Sequence, residues 1–99
     1  MKPFQFSKPA SDEVAEAIRW YEMRRSGLGS DFYDAIVQTI DLIRAHPEIG
    51  TPRMGRLPNR QLRVTRFPYK VVYRVREHNI YVVAVAHTSR RPGYWKDRR

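Results

Sequence analysis

Apolar positions along the chain change their period twice. Pro3-Phe4-Gln5-Phe6-Ser7-Lys8 alternates apolar and polar, the period of a short strand. Pro9 closes that run. Ser11 then stands as a helix N-cap before Asp12 and Glu13, acids that a helix N-terminus favours. Val14, Ala17, Ile18 and Tyr21 share one helical face. Gly27-Leu28-Gly29 interrupts this helix, and Ser30 offers a cap for a second. Phe32, Ile36, Ile40 and Ile43 form its apolar stripe, and Pro47 marks its end. So short a turn predicts an antiparallel helical hairpin.

Pro47 to Asn59, rich in Pro, Gly and Arg, reads as a long exposed loop. Three strand-like runs follow: Leu62 to Phe67, Tyr69 to Arg76, and, after the turn Glu77-His78-Asn79, Ile80 to His87. The last run is apolar on both faces, which predicts the central strand. The order β-α-α-β-β-β, with a short C-terminal tail, gives an α+β domain over residues 1–99. Its helical hairpin covers one face of a mainly antiparallel sheet. In the second of these strands Tyr69, Val71, Tyr73 and Val75 point towards the helices. Lys70, Arg74 and Arg76, with Val72 among them, are expected on an open basic face. Folding the last two strands about residues 77–79 sets His87 opposite Tyr69 or Lys70, where the tail leaves the sheet.

Charge sharpens this picture. The 99 residues carry a formal net charge of +9. Residues 1–50 hold 6 basic and 8 acidic side chains, whereas residues 51–99 hold 13 and 2. Such asymmetry attracts a polyanion: RNA, DNA or an acidic protein segment. There are no cysteines, which excludes disulfides and thiolate metal sites and suits a reducing cytoplasm. No apolar run is long enough to span a bilayer. His46 and His78 lack companions at ligand spacing, so no metal or other cofactor is expected.

Trp20-Tyr21, Gly27-Leu28-Gly29 before Phe32, Pro47 after the second helix, Arg66-Phe67-Pro68-Tyr69 running into Val72-Tyr73, and Ala84-Val85-Ala86-His87 with Arg90 and Tyr94-Trp95 together resemble the RelE/ParE superfamily, toxins of type II toxin–antitoxin (plasmid stabilisation) systems. The resemblance covers nearly the whole chain. It implies a growth-inhibiting toxin neutralised by a cognate antitoxin, and two activities on one fold. RelE-like members cut mRNA on the ribosome, and ParE-like members poison DNA gyrase without hydrolysis.

Metal-independent cleavage needs a base for the 2′-hydroxyl, an acid for the leaving oxygen and cations around the phosphorane. His87 supplies an acid or base; Arg63, Lys70 and Arg90 supply cations; Tyr94 or Trp95 could stack on a base. The resemblance places Arg63 at a catalytic lysine position, Lys70 at an arginine position and Tyr94 near a C-terminal tyrosine. It departs at Gln61 and Thr88, where basic residues are expected. Arg53, Arg56, Arg60, Arg66, Arg74, Arg91 and Trp95 complete the expected surface for nucleic acid or antitoxin. The favoured expectation is a ribosome-associated mRNA endonuclease. The alternatives are a gyrase poison, motivated by Gln61, Thr88 and the long loop, and a plain nucleic-acid-binding module. Plainer roles stand beside these: His87 as a hydrogen-bonding sheet-edge residue, Tyr69 and Tyr73 as packing, Tyr94-Trp95 folded back on the sheet.

Overall fold

The computed structural model describes residues 1–53 and 56–99. Strand β1 (Phe4–Phe6) leads into helix α1 (Lys8–Arg24), which begins earlier than the sequence suggests. Ser7, not Ser11, is the cap: its Oγ accepts from the Ala10 amide at 3.1 Å. Pro9 sits in the first helical turn, where its missing N–H costs nothing. Helix α2 (Leu28–Ala45) likewise starts before Ser30. Gly27, at φ 89°, makes the left-handed turn, and the Glu22 carboxylate accepts from the Gly27 and Gly29 amides at about 3.0 Å. An acid from α1 thus caps α2 and complements its dipole. Gly29 also has no room for a side chain, since a Cβ there would lie 2.7 Å from the Ile18 carbonyl oxygen.

Four more strands complete a five-stranded sheet: β2 (Thr51–Arg53), β3 (Asn59–Arg63), β4 (Tyr69–Val75) and β5 (Ile80–His87). Their order is β1-β5-β4-β3-β2, antiparallel except for the parallel pair β1–β5. β5 is therefore interior but one place off centre, and β4 is central. β2 is a short strand inside the segment expected to be loop; Met54 and Gly55 of that segment lie outside the described residues. β3 starts three residues before the expected run and stops at Arg63. Val64 and Phe67 still reach the core, but from a turn in which Arg66 adopts φ 78°.

The core has two sides. Phe32, Ile36, Ile40 and Ile43 of α2 are fully buried with Val14 and Ala17 of α1 against Val71, Tyr73, Ile80, Val82 and Val85. Val75, expected under the helices, is exposed at the end of β4. On the opposite face Val72, Val83, Ala84 and Ala86 form a second cluster closed by Trp95. A bulge opposite Val72/Tyr73, where partners step from Ala84 to Val82, puts both Val83 and Ala84 in that cluster. The expected open basic face is thus covered in its middle by the tail.

Candidate functional site

The end of β5 and the start of α1 are joined by one carboxylate. β1 covers β5 only as far as Val82, so the next backbone groups of β5 need other partners. Ser7 Oγ donates to the Val83 carbonyl at 3.1 Å, and Glu13 Oε1 accepts from the Val85 amide at 3.0 Å. Glu13 also accepts from the Tyr94 hydroxyl at 2.6 Å and from both Arg98 terminal nitrogens at 3.1 Å. Arg90 approaches the same carboxylate at 3.7 Å and lies 3.9 Å over the Tyr94 ring. Burial, then the hydrogen bond and charge of Glu13, push the Tyr94 phenol far above the usual tyrosine range. It stays a neutral donor.

Beside this junction a groove of about 450 Å³ opens between α1 and the β4–β5 end. Glu13, Glu16, Trp20 and Tyr21 line it from the helix, and Pro68, Tyr69, His87 and Arg90 from the sheet side. Trp20 is half exposed and carries Arg24 at 4.1 Å over its ring. The Tyr69 and His87 rings meet edge to face at 5.0 Å, as their direct pairing across β4–β5 dictates. The amide and hydroxyl of Ser89 lie at 3.0 and 2.8 Å from His87 Nδ1. That occupies one ring nitrogen and fixes the imidazole on the strand end.

The sequence-expected cations divide among separate places. Lys70, directly opposite Arg63 across β3–β4, shares the far sheet face with Val72, away from His87 and Tyr69. Burial, and then the nearby Arg53, lower the Lys70 pKa. Arg74 is buried, donating to Asn59 Oδ1 at 3.2 Å and to the Arg98 carbonyl at 3.0 Å. Arg60 reaches back to the Glu48 and Gly50 carbonyls at 3.2 and 2.9 Å. Both are structural ties rather than free surface. Arg66 stands 3.8 Å from Asp31, at a second groove of about 430 Å³ along α2. Arg53, Arg56 and Arg91 are exposed. Trp95, expected as a stacking or interface residue, is 2% exposed and belongs to the core.

The structure therefore brings His87, Arg90 and Tyr94 to one corner around Glu13, and leaves Arg63 and Lys70 elsewhere. Sequence reading took Glu13 for a helix-start acid and missed this role. Its spacing held a signal, because Ala10, Glu13 and Ala17 fall on one helical face and both alanines are buried.

Comparison with known proteins agrees with this architecture. A solved chromosomal ParDE toxin–antitoxin system from P. aeruginosa contains a chain 16% identical to this one. It superposes with a TM-score of 0.74 over 90% of this chain and 98% of that chain. At that identity the likeness is one of fold. No curated protein matches the chain in sequence. The sequence profile of the ParE toxin of type II toxin–antitoxin systems (parDE) matches residues 4–92. With that match spanning most of its length, the chain belongs to the ParE toxin family.

Proposed function

We propose that this type II toxin acts by occupying DNA gyrase, as the resemblance implies for ParE-like members, and not by cutting mRNA. The observation that carries this reading is the dispersal of the groups cleavage would need. His87 and Arg90 flank the groove beside α1; Arg63 borders the separate groove along α2, and Lys70 stands on the far sheet face with Val72. The Tyr94 hydroxyl, which could bridge the two, donates to Glu13 instead. General acid–base catalysis requires its groups within hydrogen-bond reach of one reacting phosphate. A binding poison requires only a surface, and the family match favours that class.

The cationic half of the chain would speed encounter with gyrase holding DNA. A cognate antitoxin is the second partner: an amphipathic segment suits the groove with Trp20 and Tyr69, and an acidic one suits the exposed arginines Arg53, Arg56 and Arg91. The test uses purified toxin with gyrase, relaxed plasmid and ATP, alongside programmed ribosomes. The reading expects loss of supercoiling and trapped cleaved DNA, with ribosome-bound mRNA left intact. Normal supercoiling with cut mRNA would overturn it.

A further inference from the structure

Residues 88–99 form a strap of turns laid over the far sheet face. The strap carries Arg90, Arg91, Lys96, Arg98 and Arg99 against one acid, Asp97. The strands beneath and beside it carry Arg63, Lys70 and Arg74, and Arg76 follows β4 directly. Strap and sheet thus both carry mostly positive charge, and the one acid of the strap has no ion pair with the sheet among the described residues. Backbone carbonyls tie the strap at Arg98, through Arg74 at 3.0 Å and Val83 at 3.1 Å, and two larger contacts hold it down. One is the burial of Trp95. The other is Glu13, to which both ion pairs of the strap go among the described residues.

We propose that Glu13 is the positioning residue of the toxin's C-terminal strap, a single carboxylate on α1 that sets where Arg90, Tyr94 and Arg98 stand. The same carboxylate satisfies the Val85 amide left uncovered by β1, which anchors it to the sheet edge. Its oxygens meet the Val85 amide, the Tyr94 hydroxyl and the Arg98 guanidinium together, and its side chain is 15% exposed. Charge-assisted hydrogen bonds to so shielded a carboxylate are the strong ones. Through Arg90 the same contact shapes the groove, because Arg90 lines it beside His87. The consequence for toxicity rests on the binding reading above. The consequence for the strap does not.

The experiment compares the parent chain with Glu13→Ala and Glu13→Gln. Strap amides that bond within the segment, those of Tyr94, Lys96 and Arg98, report its seating by hydrogen exchange. In Glu13→Ala they are expected to exchange at least ~10-fold faster while β4–β5 amides keep their protection. One tyrosine should also ionise at lower pH, read by tyrosinate absorbance. Gyrase inhibition should weaken about tenfold, a change of about 1.4 kcal/mol. Glu13→Gln keeps one acceptor oxygen, enough for the Val85 amide, and its NH2 can donate to the Tyr94 hydroxyl oxygen, so it should recover part of each effect. That graded recovery is what a mere loss of folding would not give.

Unchanged strap exchange in folded Glu13→Ala overturns the proposal. If Glu13→Ala does not fold, Tyr94→Phe decides: it keeps the ring and removes only the donated hydroxyl, and unchanged strap exchange there is equally contrary. A released strap with undiminished gyrase inhibition refutes the link to toxicity. A parent chain that leaves gyrase untouched refutes the target instead, while the exchange data still judge the role of Glu13.

Discussion

Replacing Trp95 with alanine distinguishes a tail that belongs to the core from one that merely lies near it. The indole is 2% exposed and closes the cluster of Val72, Val83, Ala84 and Ala86. A buried tryptophan removes about 200 Å² from water, which at about 25 cal/mol per Å² is an upper bound near 5 kcal/mol. The Nε1 atom has no protein partner, and an unsatisfied buried donor offsets on the order of 1–2 kcal/mol of that gain. The expected loss for Trp95→Ala is therefore about 3–4 kcal/mol, within the usual range for such truncations. Against a total stability of roughly 5–15 kcal/mol for a chain of this size, that is severe. Urea unfolding followed by circular dichroism measures it directly, and the melting temperature should fall by about 12–32 °C. Trp20→Ala, at a half-exposed position, should cost clearly less. A loss below about 1 kcal/mol for Trp95→Ala would refute the placement of the strap.

Three further outcomes follow from particular contacts. Gly29→Ala sets a methyl 2.7 Å from the Ile18 carbonyl oxygen, so the helices must separate, and a loss of about 1–3 kcal/mol is expected in denaturant unfolding. Tyr73→Phe removes a fully buried hydroxyl that accepts from the Gly50 amide at 2.9 Å and donates to the Pro47 carbonyl at 2.7 Å. With the Gly50 amide left unpaired, about 1–3 kcal/mol should be lost and the segment after α2 should exchange faster. Stability should also decline at alkaline pH. Burial raises the pKa values of Tyr69, Tyr73 and Tyr94, so the folded chain keeps protons that the unfolded chain releases from about pH 10. That contribution is intact below the unfolded value and is lost as pH climbs towards the folded ones. Melting temperatures measured from pH 9 upwards check it, and a flat or rising curve would contradict the burial of these phenols.

How far the sequence was legible depends on which signal each element carried. The stripe Phe32, Ile36, Ile40 and Ile43 is fully buried as its spacing predicts, and β5 has the predicted bounds. These are long periodic runs, where pattern dominates. Both helices begin before the caps Ser11 and Ser30 that the local pattern offers, because tertiary contacts set the observed caps. Ser7 wins at α1 since it also reaches the Val83 carbonyl, and Gly27 wins at α2 since Glu22 caps the freed amides. β3 was placed too late because Val64 and Phe67 look like strand residues yet pack from a turn.

The far face held the larger lesson. β5 is apolar on both sides, which requires cover on both, and of the two roles open to Tyr94-Trp95, partner contact or folding back on the sheet, Trp95 takes the second. Charge alone could not separate a structural arginine from a free one. Arg74 and Arg60 became internal ties, whereas Arg53, Arg56 and Arg91 remained at the surface. The register expectation for His87 held at Tyr69, and it is this pairing that separates His87 from Lys70 across the sheet.

The most direct test of the account is to induce the chain alone in a bacterial host and pulse-label DNA and protein synthesis separately. The account predicts prompt loss of DNA synthesis and a DNA-damage response while translation continues, with His87→Ala as toxic as the parent. Prompt loss of protein synthesis with mRNA cut within codons, abolished by His87→Ala, would contradict it.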